Sequence, residues 1–545
     1  MSDSPKIPTW VQVLTAMFVA LALFAFAMQI FPPPREEPVV DPPNEASAEY
    51  WWQQGRETVQ RAAARTPTKQ ARNVILFLGD GMGVSTVSAA RILAGQIEGR
   101  SGEEHVLHFE TFPVTGLSKV YNTNQQVPDS AGTMSAIMTG AKTRAGVLAI
   151  EGTVRRGDCE GALAAEVPTL LQQAAAAGLA TGIVTTTTIT HATPAATYAH
   201  APERNWEVDS AMPAAAIEAG CRDIALQLLE FDHGPFIDVV LGGGRSMFLP
   251  SGTPDPEYDF LDGRRADGRN LVKEWLAMHE GGAYVWNQSQ FDAIGEDAHP
   301  ILGLFEPSHM QFEVDRADDA AGEPSLAQMT GFAIERLQRN PNGYFLMVEG
   351  GRIDHAHHVN NAWRALTETI AMDDAVRVAS EMTSAEDTLI LVTADHSHPL
   401  TFAGYATRGN PIMGLVRGND PAGEALETPS LDALGLPYQV LGYAIGPGHH
   451  GLTNTQEGGA KRLLHRFESI SPHPDGRGDL GNLDFTDPNL LQEASIPTSF
   501  GTHSGEDVAV YAKGPGAELA SGVIEQNVLY FIMRKALSDR LGFDG

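Results

Sequence analysis

Apolar and polar positions along this chain fall into blocks that carry their own element signatures. Val74–Leu78, Ala180–Thr186, Ile237–Leu241, Tyr344–Val348, Leu389–Thr393 and Val508–Tyr511 are short runs dominated by Val, Ile, Leu and Thr. Runs of that length and β-branched content predict buried strands. Longer helical stretches lie between them, at Val84–Leu93, Pro168–Ala177, Leu326–Gln338 and Ala362–Met382, and Gly178 stands where a C-cap would end the Ala-rich one. Val523–Leu537 reads as a closing helix. The alternation predicts an α/β fold with a central, mostly parallel sheet and helices on both faces.

Two regions depart from that rhythm. Residues 10–31, from Trp10 to Phe31, are apolar and uncharged, near the ~20 residues that span a bilayer. Lys6 precedes the run, and Glu36, Glu37 and Asp41 follow it. Residues 1–31 are therefore expected to be an uncleaved signal anchor, with a signal peptide cut near Ala25-Phe26-Ala27 as the alternative. In either case the bulk of the chain is exported, membrane-anchored or released as a soluble periplasmic or secreted protein. Residues 32–48, with Pro32-Pro33-Pro34 and Pro42-Pro43, form an extended spacer. Residues 405–500 are rich in Gly, Pro and Asn and poor in long apolar runs, which predicts a crown-like insertion between core segments 49–404 and 501–545. His449 and His450, in Gly446-Pro447-Gly448-His449-His450-Gly451, read as surface loop residues rather than metal ligands.

The chemistry gathers where the apolar strands end. Tyr344–Val348 runs into Glu349-Gly350-Gly351-Arg352-Ile353-Asp354-His355-Ala356-His357-His358. An apolar core cannot hold such a set of carboxylates and imidazoles unpaired, whereas a divalent metal takes both as ligands. Asp354 and His358 are four apart, so one helical turn places them on the same side. Val74–Leu78 runs into Gly79-Asp80-Gly81-Met82-Gly83, and Thr388–Thr393 into Ala394-Asp395-His396-Ser397-His398. Parallel sheets collect ligands outside the carboxyl ends of their strands, so the three ends point to one multi-metal crevice.

Charge and cysteine content narrow the setting. The formal net charge of −31 over 545 residues argues against nucleic acid as a dedicated partner, because phosphate backbones are bound by Lys and Arg. A metal and one arginine can still make a local anion site in an acidic protein. Cys159 and Cys221 are the only cysteines. They fit one disulfide in an exported protein or two unrelated thiols.

Val127-Pro128-Asp129-Ser130-Ala131-Gly132-Thr133-Met134 places a serine at a helix start. Such a serine is an ordinary N-cap, and the same position suits a nucleophile facing bound phosphate. With these motifs, and with Thr190-His191-Ala192-Thr193-Pro194 and Thr502-His503-Ser504-Gly505-Glu506-Asp507, the chain resembles the alkaline phosphatase family, close to its animal-type branch, over roughly residues 50–535.

The resemblance implies a homodimeric enzyme hydrolysing phosphate monoesters through a phosphoserine, with two zinc ions and one magnesium. It assigns Asp354, His358 and His503 to one zinc. Asp80, Asp395 and His396, with Ser130, go to the other. It assigns Asp80, Thr193 and Glu349 to magnesium, with His191 nearby through water. Ser130 becomes the nucleophile and Arg204 the phosphate clamp. A calcium ion is implied at Glu257, the Phe305 carbonyl, Glu306 and Glu323, the last standing where the family usually shows Asp. Cys159 and Cys221 fall at positions paired in animal members. A phosphodiesterase or sulfatase of the same superfamily is a weaker reading, because those enzymes commonly use Thr or a modified residue as nucleophile. A non-catalytic phosphate- or metal-binding protein is weaker still, since no ligand or nucleophile is missing.

Overall fold

The structure, a computed structural model, describes residues 45–64, 69–449, 452–453, 459–464, 470–471 and 478–541. The apolar segment 10–31, nearly all of the proline-rich spacer and His450 lie outside them. Among the described residues no helix is long and apolar enough to cross a membrane.

A ten-stranded sheet organises the chain. In spatial order its strands are Gly522–Glu525, Val114–Lys119, Val508–Lys513, Thr388–Ala394, Asn73–Gly79, Tyr344–Gly350, Ala180–Thr188, Val239–Gly243, Ile301–Leu304 and Ala283–Val285. All pairings are parallel except those that Val508–Lys513 makes with its two neighbours. The central strands bury every residue. Successive side chains point to opposite faces. Val74, Leu76 and Leu78 pack on one side with Met134 and Ile137 of helix Ser130–Thr139 and with Phe531 of helix Val528–Ala536. Ile75 and Phe77 pack on the other side with Met329 of helix Leu326–Leu337 and Leu366 of helix Ala362–Met382. Each fully buried aliphatic side chain is worth about 1.5–3 kcal/mol over exposure, so the doubly covered centre holds its strand ends rigidly.

Register sets which residues meet at those ends. Gly79 pairs with Gly350 on one side and with Ala394 on the other. Asp80 and Asp395 therefore leave the sheet together, one residue past that level, and Glu349 lies one residue before it, opposite Leu78. Gly81 takes the left-handed conformation (φ 69°), and a Cβ there would lie 2.6 Å from the His398 ring, so the turn after Asp80 needs glycine.

Two parts of the sequence reading change. The segment Val523–Leu537 is not one helix: Gly522–Glu525 is a strand beside Val114–Lys119, and the helix begins at Val528. The β-branched pair Val523-Ile524 fits a strand, and Asn527 precedes the helix. His449 is buried, its backbone bridged to Ala494, rather than on a surface loop. In the Gly/Pro-rich region, Leu441–Gly446 and Ala494–Pro497 join Leu400–Phe402 in a three-stranded sheet. Its Val416, Val440 and Tyr443 belong to the same core cluster as Ile75 and Phe77, so this region does not bring a separate core.

Cys159 and Cys221 form a disulfide with Cα atoms 5.8 Å apart, packed with Trp206, Met212 and Ala216. Closing a loop of 62 residues is worth roughly 4 kcal/mol by chain entropy. Trp206 is two residues beyond Arg204, so the bridge braces the turn that carries this arginine.

The residues Glu525-Gln526-Asn527 tie several elements together. Glu525 is ion-paired with buried Lys142 at 2.9 Å and with Lys119 at 2.8 Å. Gln526 donates to the Asp395 carbonyl at 2.6 Å. Asn527 donates to the Gly140 carbonyl, just past the Ser130 helix, and to the Trp51 carbonyl of the first helix, Ala48–Ala63. Lys142→Met leaves Glu525 with one partner in a buried setting. It is expected to cost about 3 kcal/mol, read as a lower urea midpoint. A loss under about 1 kcal/mol would mean that water screens the pair as it does at a surface.

Candidate active site

Ser130 is the first residue of its helix, and Asp129, not Ser130, is the N-cap. Asp129 accepts from the Gly132 N–H at 3.1 Å with one oxygen. The other oxygen takes the Gly146 N–H at 2.9 Å and Arg204 Nη1 at 3.2 Å. Burial alone would raise the Asp129 carboxyl, but the Arg204 guanidinium and these N–H donors outweigh it and hold the group below its ordinary range. One aspartate thus starts the helix and aims the arginine, which leaves the Ser130 hydroxyl for other work. Ser130 Oγ lies 3.1 Å from His396 Nε2 and 3.5 Å from Asp80 Oδ1.

Three groups of carboxylates and imidazoles surround this hydroxyl. Asp80, Asp395 and His396 are fully buried, with potential ligand atoms all within 4.8 Å of one another. Asp80 is shared with a second group that adds His191 and Glu349. Thr193 Oγ1 reaches Asp80 Oδ2 at 3.5 Å. Glu349 Oε2 accepts from Thr185 and, at 3.1 Å, from Thr187, while its Oε1 is buried without a partner. Burial and facing carboxylates push Asp80 well above its ordinary range, Asp395 up to about 6 and Glu349 up to about 7.

The third group is Asp354, His358, His398 and His503. His503 Nδ1 donates to the Pro128 carbonyl at 2.7 Å, and His358 Nδ1 to the Gly501 carbonyl at 2.6 Å. A carbonyl only accepts, so each neutral ring carries its proton on Nδ1 and presents a bare Nε2. The two Nε2 atoms face each other at 3.1 Å beside the Asp354 carboxylate. Two lone pairs in that geometry repel unless a proton or a metal cation lies between them: against burial, the Asp354 carboxylate raises the His358 imidazole so that it takes up that proton, and a metal bound there would replace it, with the carbonyls keeping both rings aimed. His398 was not among the residues expected from sequence. Its Nε2 sits 2.5 Å from Asp354 Oδ1 and orients that carboxylate. Its one signal was its place two residues after His396, at the same strand end.

Arg204 Nη2 meets His191 Nε2 at 3.0 Å, so Asp129 and His191 hold the guanidinium from two sides. His309 and His355 join His191 in a cluster of edge and tilted ring contacts between 4.3 and 5.6 Å. Neither was assigned from sequence.

A separate acidic group lies away from the serine. Glu257, Glu306 and Asp319 come within ligand distance of one another, which replaces the expected Glu323 by Asp319 in the closest set. Glu323 stays near: burial, Glu306 and Asp319 push its carboxyl up to about 9, and its Oε2 has no partner. The Phe305 carbonyl accepts from Arg245 Nη1 at 3.0 Å, and Arg245 Nη2 also lies 3.1 Å from Glu257, so a buried guanidinium already meets part of this acidity.

A hydroxyl at a helix N terminus, an arginine beside it and cation-ready groups at parallel strand ends define an α/β enzyme built for phosphoryl chemistry. The alkaline phosphatase family profile matches residues 71–538. The tissue-nonspecific alkaline phosphatase of Gallus gallus is 44% identical over 504 residues, covering 91% of this chain and 90% of that protein. The alkaline phosphatase of Gadus morhua is 42% identical over 503 residues, covering 91% and 98%. The Thermus thermophilus alkaline phosphatase structure superposes with a TM-score of 0.61 at 25% identity, covering 89% of this chain and 95% of that one. The chain belongs to the alkaline phosphatase family, metal-dependent enzymes that hydrolyse phosphate monoesters.

An acid whose folded pKa is raised keeps a proton that the unfolded chain has already lost. The Asp395 and Glu349 carboxyls therefore oppose folding increasingly as pH rises from about 4 to about 7. A divalent cation removes that opposition. Added Zn²⁺ or Mg²⁺ is expected to raise the thermal midpoint of the chelated protein more at neutral pH than near pH 5. An equal gain at both would show that these carboxyls are not what the cation relieves.

Proposed function

We propose that the chain is an exported phosphomonoesterase in which Ser130 is the nucleophile, Arg204 the phosphate clamp, and the clusters around Ser130 hold two zinc ions and one magnesium. The observation that carries this reading is the Ser130 hydroxyl set against Asp80 and His396, with Arg204 fixed by Asp129 close by. Asp354, His358 and His503 would hold one zinc, Asp80, Asp395 and His396 the other, and Asp80, Thr193 and Glu349 the magnesium, with His191 beside it. Bound there, the ions would supply positive charge for the attacking and leaving oxygens and for deprotonated hydroxyl and water. A calcium ion at Glu257, Glu306 and Asp319, with Glu323 and the Phe305 carbonyl beside them, is a structural proposal that the raised carboxyls support.

The chain's own residues carry the remaining work. The Ser130 helix directs free backbone N–H groups toward the phosphate, and its dipole favours the added negative charge. Arg204 offers a planar fork to two phosphate oxygens, already oriented before substrate arrives. Ser130 Oγ forms a bond to phosphorus as the bond to the ester oxygen breaks, and the alcohol leaves with a proton. Water then cleaves the phosphoserine, returning the proton to Ser130 and releasing phosphate. Arg204 meets the equatorial oxygens in both steps.

Export is supported by the apolar segment at residues 10–31 and by the disulfide, which persists in oxidising compartments. Retention of that segment would anchor the enzyme to a membrane, and its cleavage would release the enzyme. A homodimer is proposed by analogy with the family.

Hydrolysis of p-nitrophenyl phosphate at alkaline pH tests the assignment. Activity should vanish on chelation, return with Zn²⁺ and Mg²⁺, and fall to background in Ser130→Ala. Arg204→Ala should retain the fold and lower kcat/KM about 100-fold. Full activity in Ser130→Ala would remove the nucleophile assignment. Hydrolysis of bis-p-nitrophenyl phosphate in preference to the monoester would move the chain to the diesterases.

A further inference from the structure

Phe500 stands at the edge of the site, 51% exposed. Single exposed phenylalanines are ordinary, but this one is unusually well fixed. Its ring stacks on His358 with centroids 4.2 Å apart and planes 23° from parallel. The next residue is strapped to the helix Arg352–His358 from both sides: the Gly501 N–H donates to the His358 carbonyl at 2.7 Å, and His358 Nδ1 donates to the Gly501 carbonyl at 2.6 Å. Thr498 Oγ1 holds the Phe500 carbonyl at 2.8 Å. A rigid, half-exposed ring loses little conformational freedom when a ligand stacks on it.

Its position relative to the reaction is the second consideration. Ser130 lies with Asp80, Asp395 and His396. In-line displacement expels the leaving group opposite the attacking oxygen. The neighbouring group of Asp354, His358 and His503 does not hold Ser130 and adjoins the serine's set through the His396–His503 ring stack, with centroids 3.6 Å apart; a leaving group expelled on that side would meet Phe500, which covers His358.

We infer that Phe500 is a specificity-determining residue that stacks planar aromatic leaving groups, so that this site favours aryl phosphates and nucleoside monophosphates over aliphatic phosphate esters. The inference rests on the phosphomonoesterase reading above and adds a substrate class to it. Such contacts between rings change affinity about tenfold.

The test compares p-nitrophenyl phosphate, adenosine 5′-monophosphate and glycerol 3-phosphate with the metal-loaded, full-length enzyme, its Phe500→Leu variant and its Phe500→Tyr variant. Leucine keeps apolar bulk over His358 but removes the π face; tyrosine restores it. The expected result for Phe500→Leu is about a tenfold loss of kcat/KM on the two aromatic substrates, carried by KM, and under about a twofold change on glycerol 3-phosphate, with Phe500→Tyr near wild type. Loss on p-nitrophenyl phosphate alone would confine the class to aryl phosphates, and loss on the nucleotide alone to nucleoside monophosphates. Equal losses on all three substrates, or none, would overturn the inference. No turnover of any substrate by the wild-type enzyme would instead remove the phosphomonoesterase reading itself.

Discussion

Repulsion among buried carboxylates is the constraint on which the rest of this structure depends. Strand register brings Asp80, Glu349 and Asp395 to one place, the helix Arg352–His358 adds Asp354, and all are buried. In a low dielectric their charges cannot persist together without compensation. Nearby imidazoles settle only Asp354, which His358 and His398 hold well below its ordinary range against the opposing effect of burial. The other three remain raised. The site is therefore poised to bind cations, and everything around it serves to keep the carboxylates from moving apart.

Three kinds of support resist that movement. The sheet centre is covered by helices on both faces, so the strand ends cannot splay without opening two apolar clusters. Backbone carbonyls of Pro128 and Gly501 fix the tautomers of His503 and His358 and aim their nitrogens. Side chains from distant segments complete the frame: Gln526 holds the Asp395 carbonyl, and Thr185 and Thr187 hold Glu349. Asp129 extends the same economy to Ser130 and Arg204, where one carboxylate caps the Ser130 helix and orients the guanidinium. The carboxylate groups and the Ser130–Arg204 pair are thereby joined through a single helix turn.

The legible parts of the chain were those where local pattern and chemistry coincide. Val74–Leu78 and Tyr344–Val348 are unbroken apolar runs, and such runs form strands with little help from context. The convergence of Asp80, Asp354, Asp395 and His396 was legible because acids and imidazoles gathered directly after buried strands need a partner, and the structure brings them into adjoining groups. Val523–Ile524 misled because a neighbouring strand, absent from any local window, captured two β-branched residues that otherwise continue an apolar pattern into the helix. His449 misled because Gly-Pro-Gly around it reads as an exposed turn, whereas the chain there folds back beside Ala494.

From its sequence alone this protein was determined to be an α/β enzyme with candidate metal ligands at its strand ends, a serine at a helix start and one candidate cysteine pair, because residue type and period are local properties. Only the tertiary structure decided how these parts act on one another. It made Asp129 the cap in place of Ser130, drew His398 onto Asp354, exchanged Glu323 for Asp319 in the closest acidic group and laid Phe500 over His358. Each of those outcomes depends on distances between segments remote in the chain. Such distances follow from how helices and strands pack against each other, which no local stretch of sequence specifies.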